Sequence, residues 1–482
     1  MKRNAQNFDR TFAGAATLPA PIAKTTKRSL NLMLCMLAAL FALTLVPPVW
    51  AQPDVDLYDF NVAPDSENST ATLLADKFGN LYGTAAKGGL FGFGTVFVMC
   101  APNAAAPDIA PCVPAAPLWT ENVLYNFVGG ADGANPHSTL IFGGNYAGRA
   151  FTLYGTTYNG GNPNTCGGTG CGTVFELCAP VASGGCGGAG WVENVLHRFL
   201  GVKDGAHPFA GVITDKANNL YGTTVYGGAK GVCASGGVNL FCGTVFKMHH
   251  NNVWLFAEAV IHRFGGAPGD GANPYSALCC NTINGIATLY GTTLIGGAAN
   301  AGTVFKVANI AGYPEAILYN FCSVVGCTDG ANPYADVIFD ANGQMYGTTF
   351  SGGILGGCGG TGCGTVFRLA ALPVPLYSFL GSPDGANPTA GPMLSAGVLY
   401  GTTYEGGIPA SCGGPGCGTV YQFALPAGPE IVRYPFTGSA ILPFDGAHPY
   451  GGVILDPPVA GGQLYGTTHD AGRWGFGIAY SE

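Results

Sequence analysis

The chain has 482 residues, 48% of them apolar and only 10% charged, and 79 are glycine. That composition excludes wholesale disorder and a helix-dominated fold, and it fits short strands joined by tight turns. Six of the 19 bases (Lys2, Arg3, Arg10, Lys24, Lys27, Arg28) and one of the 27 acids (Asp9) precede residue 52, so 52–482 carries a net charge near −13 with no basic cluster. Nucleic acid and, for the mature chain, a membrane surface are excluded as partners, since both need clustered positive charge.

In chain order, Lys24, Lys27 and Arg28 come first, followed by the apolar run LNLMLCMLAALFALTLV (30–46) and VWA before Gln52. This reads as a secretory signal peptide over 1–51, leaving 52–482 as a single domain. An uncleaved anchor is the rival reading, because the run approaches the roughly 18 residues that span a bilayer. Sixteen of the 17 cysteines fall after the signal, an even number in an exported chain, and disulfides are expected. Cys166/Cys171, Cys358/Cys363 and Cys412/Cys417 share the frame CGGxGC, and Cys233/Cys242 holds the same place with a longer insert. A zinc knuckle is disfavoured, because neither C-x-x-C spacing nor a neighbouring His recurs.

LYGT or a variant recurs with Tyr at 82, 154, 221, 290, 346, 400 and 465, in steps of 72, 67, 69, 56, 54 and 65 residues. These steps are too long and uneven for β-helix rungs. One unit reads LYNF (318–321), a loop with DGANP, DVIFD (336–340), a turn ANG, MYGTTF (345–350), a Gly-rich loop and GTVFRL (364–369). Four short strands repeated seven times predict an all-β, seven-bladed β-propeller stapled by disulfides. If the blade ends at LYNF, LYDF (57–60) completes the last blade and fastens the ring.

The combined pattern DGANP…LYGTT…GG…GTVF resembles the bacterial GloVer-type tandem repeat of the choice-of-anchor group, over essentially all of 57–480. The resemblance implies an exported or surface repeat protein whose biochemical activity is not established. Such relatives often carry a C-terminal anchor, whereas this sequence ends at Glu482 directly after its last repeat, so secretion or retention through the N-terminal segment is expected.

DGANP stands at 132–136, 270–274, 329–333 and 384–388, with DGAHP at 204–208 and 445–449. Each letter suits a turn: Asp and Asn bond nearby backbone, Gly accepts positive φ, and Pro holds the preceding residue extended. A neutral His can present Nδ1 where Asn presents its side-chain oxygen, which explains the exchange. The sharper alternative is calcium bound by Asp132, Asp204, Asp270, Asp329, Asp384 and Asp445. One acid per loop falls short of the six to eight oxygens calcium takes, so no cofactor is the expectation.

Gly after each LY signals crowding or a kink, and the Tyr hydroxyl would turn to the adjacent Thr pair. A Thr and Tyr ring around a sugar-binding channel is the functional alternative to blade packing. Trp119, Trp191 and Trp254 precede the first strand of three units, where they either stack on sugar or pack between blades. His137, His249, His250 and His469 lie outside the shared frame, with His249 and His250 assigned to a polar turn. No nucleophile motif or paired carboxylate accompanies them. The expected protein is therefore a secreted or cell-surface monomer, non-catalytic, that binds a glycan or a surface protein through loops or channel. A secreted polysaccharide hydrolase or lyase is the alternative, and a structural surface scaffold the third reading.

Overall fold

The computed structural model describes residues 55–102, 112, 118–143, 151–180, 190–228, 233–235, 238–240, 242–250, 256–283, 286–369, 373–409, 412, 414–426, 428–439, 444–455 and 462–482. The expected signal segment and Trp254 lie outside these residues. The described chain forms seven antiparallel blades, each with a four-strand core, in a propeller, together with four two-stranded sheets. Blades one to six span 74–126, 141–198, 213–263, 279–320, 338–378 and 393–435. Blade seven combines 454–481 with the N-terminal strand Val55–Asp59, which pairs with Ile478–Ser481 and closes the ring, the outcome the sequence offered only on condition that the blade ends at LYNF.

Within blade five the inner strand is Ile338–Phe339, the second Met345–Thr349, the third Thr365–Leu369 and the outer Pro373–Ser378. The turn before the second strand forms because Asp340 Oδ1 accepts the amides of Asn342 and Gln344 at 2.9 and 2.8 Å. Asp340 also accepts the Tyr346 hydroxyl. Tyr82 and Tyr221 likewise donate to Asp76 and Asp215, so these hydroxyls serve the turn rather than the Thr pair expected from the sequence.

Register explains the glycine of LYGT. Gly347 lies opposite Phe367, and a Cβ there would stand 2.6 Å from Phe367 Cζ. Gly83, Gly155, Gly222 and Gly291 face Phe97, Phe175, Phe246 and Phe305 in the same way, so crowding is the correct reading of the two offered. Those third-strand rings are 0% exposed and meet an equally buried Phe that directly follows the outer strand of the preceding blade, as in Phe127–Phe175 at 5.3 Å and Phe321–Phe367 at 5.2 Å. Edge-to-face pairs of this kind add to the apolar burial that holds blade to blade.

DGANP is the seam between blades. Asp329 is 3% exposed and accepts Tyr319 Oη at 2.6 Å, Ser323 N at 2.9 Å and Val324 N at 3.3 Å. Tyr125–Asp132, Tyr377–Asp384 and Tyr58–Asp65 repeat the contact at 3.0, 2.8 and 3.0 Å, and His197 replaces the Tyr beside Asp204 at 3.2 Å. Asn135, Asn273, Asn332 and Asn387 adopt φ of 54–56°, the left-handed region that Asn tolerates. Their Nδ2 donates back to the preceding blade, at Ala86 O, Val225 O, Leu294 O and Phe350 O. His207, also at φ 56°, meets Tyr158 O through Nδ1 at 2.9 Å. At His207 the chemistry shared with Asn is thus donation to a carbonyl, not the acceptor role assigned from the sequence, whereas His448 Nδ1, at φ 56°, meets the Asp470 carboxylate at 3.0 Å instead.

Disulfides join Cys166–Cys171, Cys358–Cys363 and Cys412–Cys417, as the CGGxGC frame predicted, together with Cys100–Cys112 and Cys322–Cys327. Cys242 is disulfide-bonded, while the side chain of Cys233 lies outside the described residues. His249 and His250 end the strand Thr244–His250 rather than occupying a turn, and His249 Nδ1 meets Asn219 Oδ1 at 2.9 Å.

Candidate functional site in the channel

Every second residue of the segment between the DGANP proline and the inner strand lines the central channel. The first set is Thr70, His137, Phe209, Tyr275, Tyr334, Thr389 and Tyr450. Phe209 stacks on His137 at 4.7 Å and lies 5.3, 6.0 and 5.9 Å from Tyr275, Tyr334 and Tyr450. Tyr275 stacks on Tyr334 at 4.7 Å. Rings from several blades therefore meet across the axis and make an aromatic layer. Within it the Tyr450 hydroxyl donates to that of Tyr334, and the Tyr275 hydroxyl bonds Tyr226 outside the layer.

Two residues further along come Thr72, Thr139, Gly211, Ala277, Asp336, Gly391 and Gly452, and beyond them Ile141, Ile213, Ile338, Met393 and Ile454. The cavity these layers bound measures about 390 Å³. It has an aromatic end, a wall of small residues and an aliphatic end. Asp336 is the single carboxylate among the described lining residues, and no Lys or Arg joins it there. A Cβ on Gly391 would collide with Asp336 Oδ1, so glycine leaves the carboxylate its room. Burial in this enclosure pushes the Asp336 carboxyl up to about 6. Burial also lowers His137 to about 4, with His469 and Lys87 adding to the effect, so the imidazole is neutral at pH 7.

The Thr and Tyr of LYGTT are not the channel lining that the functional alternative required. Thr156, Thr223, Thr292 and Thr348 donate to Ala210 O, Ser276 O, Ala335 O and Ala390 O on the next blade, and the second Thr of each pair bonds a third-strand Thr, as in Thr349–Thr365 at 2.9 Å. His137 and His469 fall inside the repeat frame, His137 in the aromatic layer and His469 after the last TT pair. Asp336 carries a signal the sequence reading passed over. It stands where the other six copies have Thr, Gly or Ala, a departure from the repeat inside a segment that looked like plain strand.

Trp119 is part-buried beside Tyr465 at 5.8 Å, and Trp191 meets Phe151 edge-on at 6.0 Å. The six DGANP aspartates sit on six separate seams, where backbone amides take carboxylate oxygens, for example Val128 N on Asp132, Leu200 N on Asp204, Gly265 N on Asp270 and Thr437 N on Asp445. A neighbouring-blade acid joins several of them, and burial together with the loop Asp raises the carboxyls of Glu121 beside Asp65 and Glu193 beside Asp132. Glu430, beside Asp384, is pushed to about 8 by the same two causes. At one seam His262, Asp270 and Glu315 bring donor atoms within 4.8 Å of one another, a set of the kind a divalent cation takes. A second cleft, beside the closing strand, gathers Asp56, Asp59, Arg473 and the 47%-exposed Trp474.

The profile of the Gloeobacter/Verrucomicrobia repeat matches residues 167–370 and 289–481. No curated protein matches the chain. Among solved structures, an ancestral GH74 enzyme is 12% identical with a TM-score of 0.45, over 89% of this chain and 48% of its own, so the chain spans about half of that enzyme. The polysaccharide lyase Uly1 is 11% identical with a TM-score of 0.44, over 91% and 94% of the two chains. A PL25 ulvan lyase is 9% identical with a TM-score of 0.39, over 88% and 97%.

Proposed function

The chain belongs to the Gloeobacter/Verrucomicrobia repeat family, and from that footing we propose that it is an exported, non-catalytic binding protein whose channel cavity takes the end of a glycan. The observation that carries this reading is the cavity itself: about 390 Å³, with stacked Tyr and Phe rings at one end and small residues around the wall. Small-molecule sites have volumes of roughly 300–1,000 Å³, and the apolar faces of sugar rings pack on aromatic surfaces. Binding is preferred to cleavage because the described lining holds one carboxylate, whereas glycoside hydrolysis commonly uses two. Export is supported by the disulfides, which persist in oxidising compartments.

Secreted hydrolase or lyase activity is the second reading, favoured by the Asp56 and Asp59 cleft with its exposed Trp474. Residues 52–482, incubated with a panel of polysaccharides, separate the two. Retention of a glycan without new reducing or unsaturated ends is the expected result. Product formation that Asp56→Asn or Asp59→Asn abolishes would move the function to the cleft, and retention of a surface protein alone would replace the glycan.

A further inference from the structure

We propose that the group held deepest in the channel is cationic, an ammonium group paired with Asp336 and flanked by the aromatic layer, so that the ligand is an amine-bearing one such as a deacetylated amino sugar. This rests on the reading of the cavity as a ligand site. Three observations lead there. Asp336 replaces the Thr, Gly or Ala of the six other repeats at this level of the channel, so its charge is an addition to the blade pattern rather than part of it. The seam aspartates accept from several local donors, as Asp329 does from Tyr319, Ser323 and Val324, whereas Asp336 has its own backbone amide as donor and no Lys or Arg among the described lining residues. The titratable groups beside Asp336 among the described lining residues are His137, Tyr275, Tyr334 and Tyr450, all neutral at pH 7, with His469 and Lys87 acting on His137 from outside the lining.

An unbalanced carboxylate in a walled site attracts a cation more strongly than it would in water. Which cation follows from the surroundings. Calcium takes six to eight oxygens, and the neighbours of Asp336 at its level are Thr, Gly and Ala. Ala335 O and Ala390 O already accept Thr292 and Thr348. The rings of Tyr334, Tyr275 and Phe209, by contrast, form an aromatic layer on the same cavity, and organic ammonium groups are drawn to aromatic rings. Tyr334 and Asp336 are two apart in the segment that leads into the strand Ile338–Phe339 and both line the same cavity, which places a ring and a charge beside one small ligand.

Calorimetric titration of residues 52–482 with the glucosamine trisaccharide, its fully N-acetylated form and ethylammonium chloride tests this. The expected result is binding of the amine trisaccharide at least tenfold tighter than the acetylated one, with the difference erased by Asp336→Asn. Wild-type affinity for ethylammonium, whose charge does not change over this range, should also fall as pH drops from 7.5 through 6, because Asp336 takes up a proton there, and this needs no variant to fold. Equal binding of both trisaccharides, or an unchanged affinity in Asp336→Asn, overturns the inference and leaves the glycan reading standing. Ethylammonium binding that depends on Asp336, without sugar binding, upholds the cation and removes the glycan. Absence of binding by all three probes overturns both.

Discussion

At the seam between blades four and five, Asp329 is enclosed by Tyr319, Ser323 and Val324, all of which donate to it. In the channel, seven residues along the chain, Asp336 lies in a lining without Lys or Arg, and its carboxyl is pushed up to about 6. The same residue type in the same repeat thus has two fates. Where an aspartate recurs in copy after copy and its oxygens are filled by local donors, it builds the turn. Where it appears once and its charge is left unbalanced, it is available for a ligand.

The contrast is broken most forcefully at the seam. Asp329→Ala is expected to lower unfolding free energy by about 3 kcal/mol, since it strands a buried Tyr hydroxyl and amides that had a charged acceptor. Denaturant unfolding measures the loss, and ligand affinity of the folded fraction should stay the same. Gly347→Ala comes next, at about 2 kcal/mol, because Phe367 cannot retreat from a Cβ without disturbing the packed ring ladder. A variant as stable as the parent would show that the ring has room after all.

Acid–base behaviour sharpens the same division. Glu430 titrates near 8 in the fold, above its ordinary value of about 4.3, because burial and Asp384 disfavour its charge. The folded chain therefore holds a proton that the unfolded chain has lost. Its contribution is fully present below the unfolded value and is lost as pH rises through about 8. Glu193 and Glu121 shift in the same direction, so melting temperature should fall between pH 5 and 9, and Glu430→Gln should narrow that fall. A melting temperature that rises over this range would contradict the paired carboxylates. The smallest effect is expected from Asn332→His, under about 1 kcal/mol, since His207 already makes the equivalent donation at the same φ. Asn332→Ala should cost more, through both the lost donor and the left-handed backbone.

Much of the propeller was legible in the sequence because its determinants are local and repeated. The order of strands, the three CGGxGC bonds and the crowding at the LYGT glycine follow from short-range pattern, whereas the closure by 55–59 pairs the two ends of the repeat array and was legible only as a conditional. Partner choice was less legible. The Tyr346 hydroxyl turns to Asp340 because the tight turn sets the two side by side, while Thr348 is drawn away to Ala390 O of the next blade. The Cys322–Cys327 bond was missed because it staples the seam loop and lacks the diglycine frame. The channel was harder still. Its wall takes one residue from each of seven distant segments, so its composition emerges only after the blades are in register, and Asp336 reads as an ordinary strand letter until its six counterparts are set beside it.

The most direct measurement compares Asp336→Asn with the parent at pH 7.5, recording thermal unfolding and amine-ligand affinity on the same samples. A carboxyl raised by burial contributes stability in acid that is lost as pH climbs through about 6, so replacing it should leave the melting temperature unchanged or higher. Affinity should fall at least tenfold. A variant that melts lower while binding as well as the parent would return Asp336 to the structural residues and contradict the division between seam and channel.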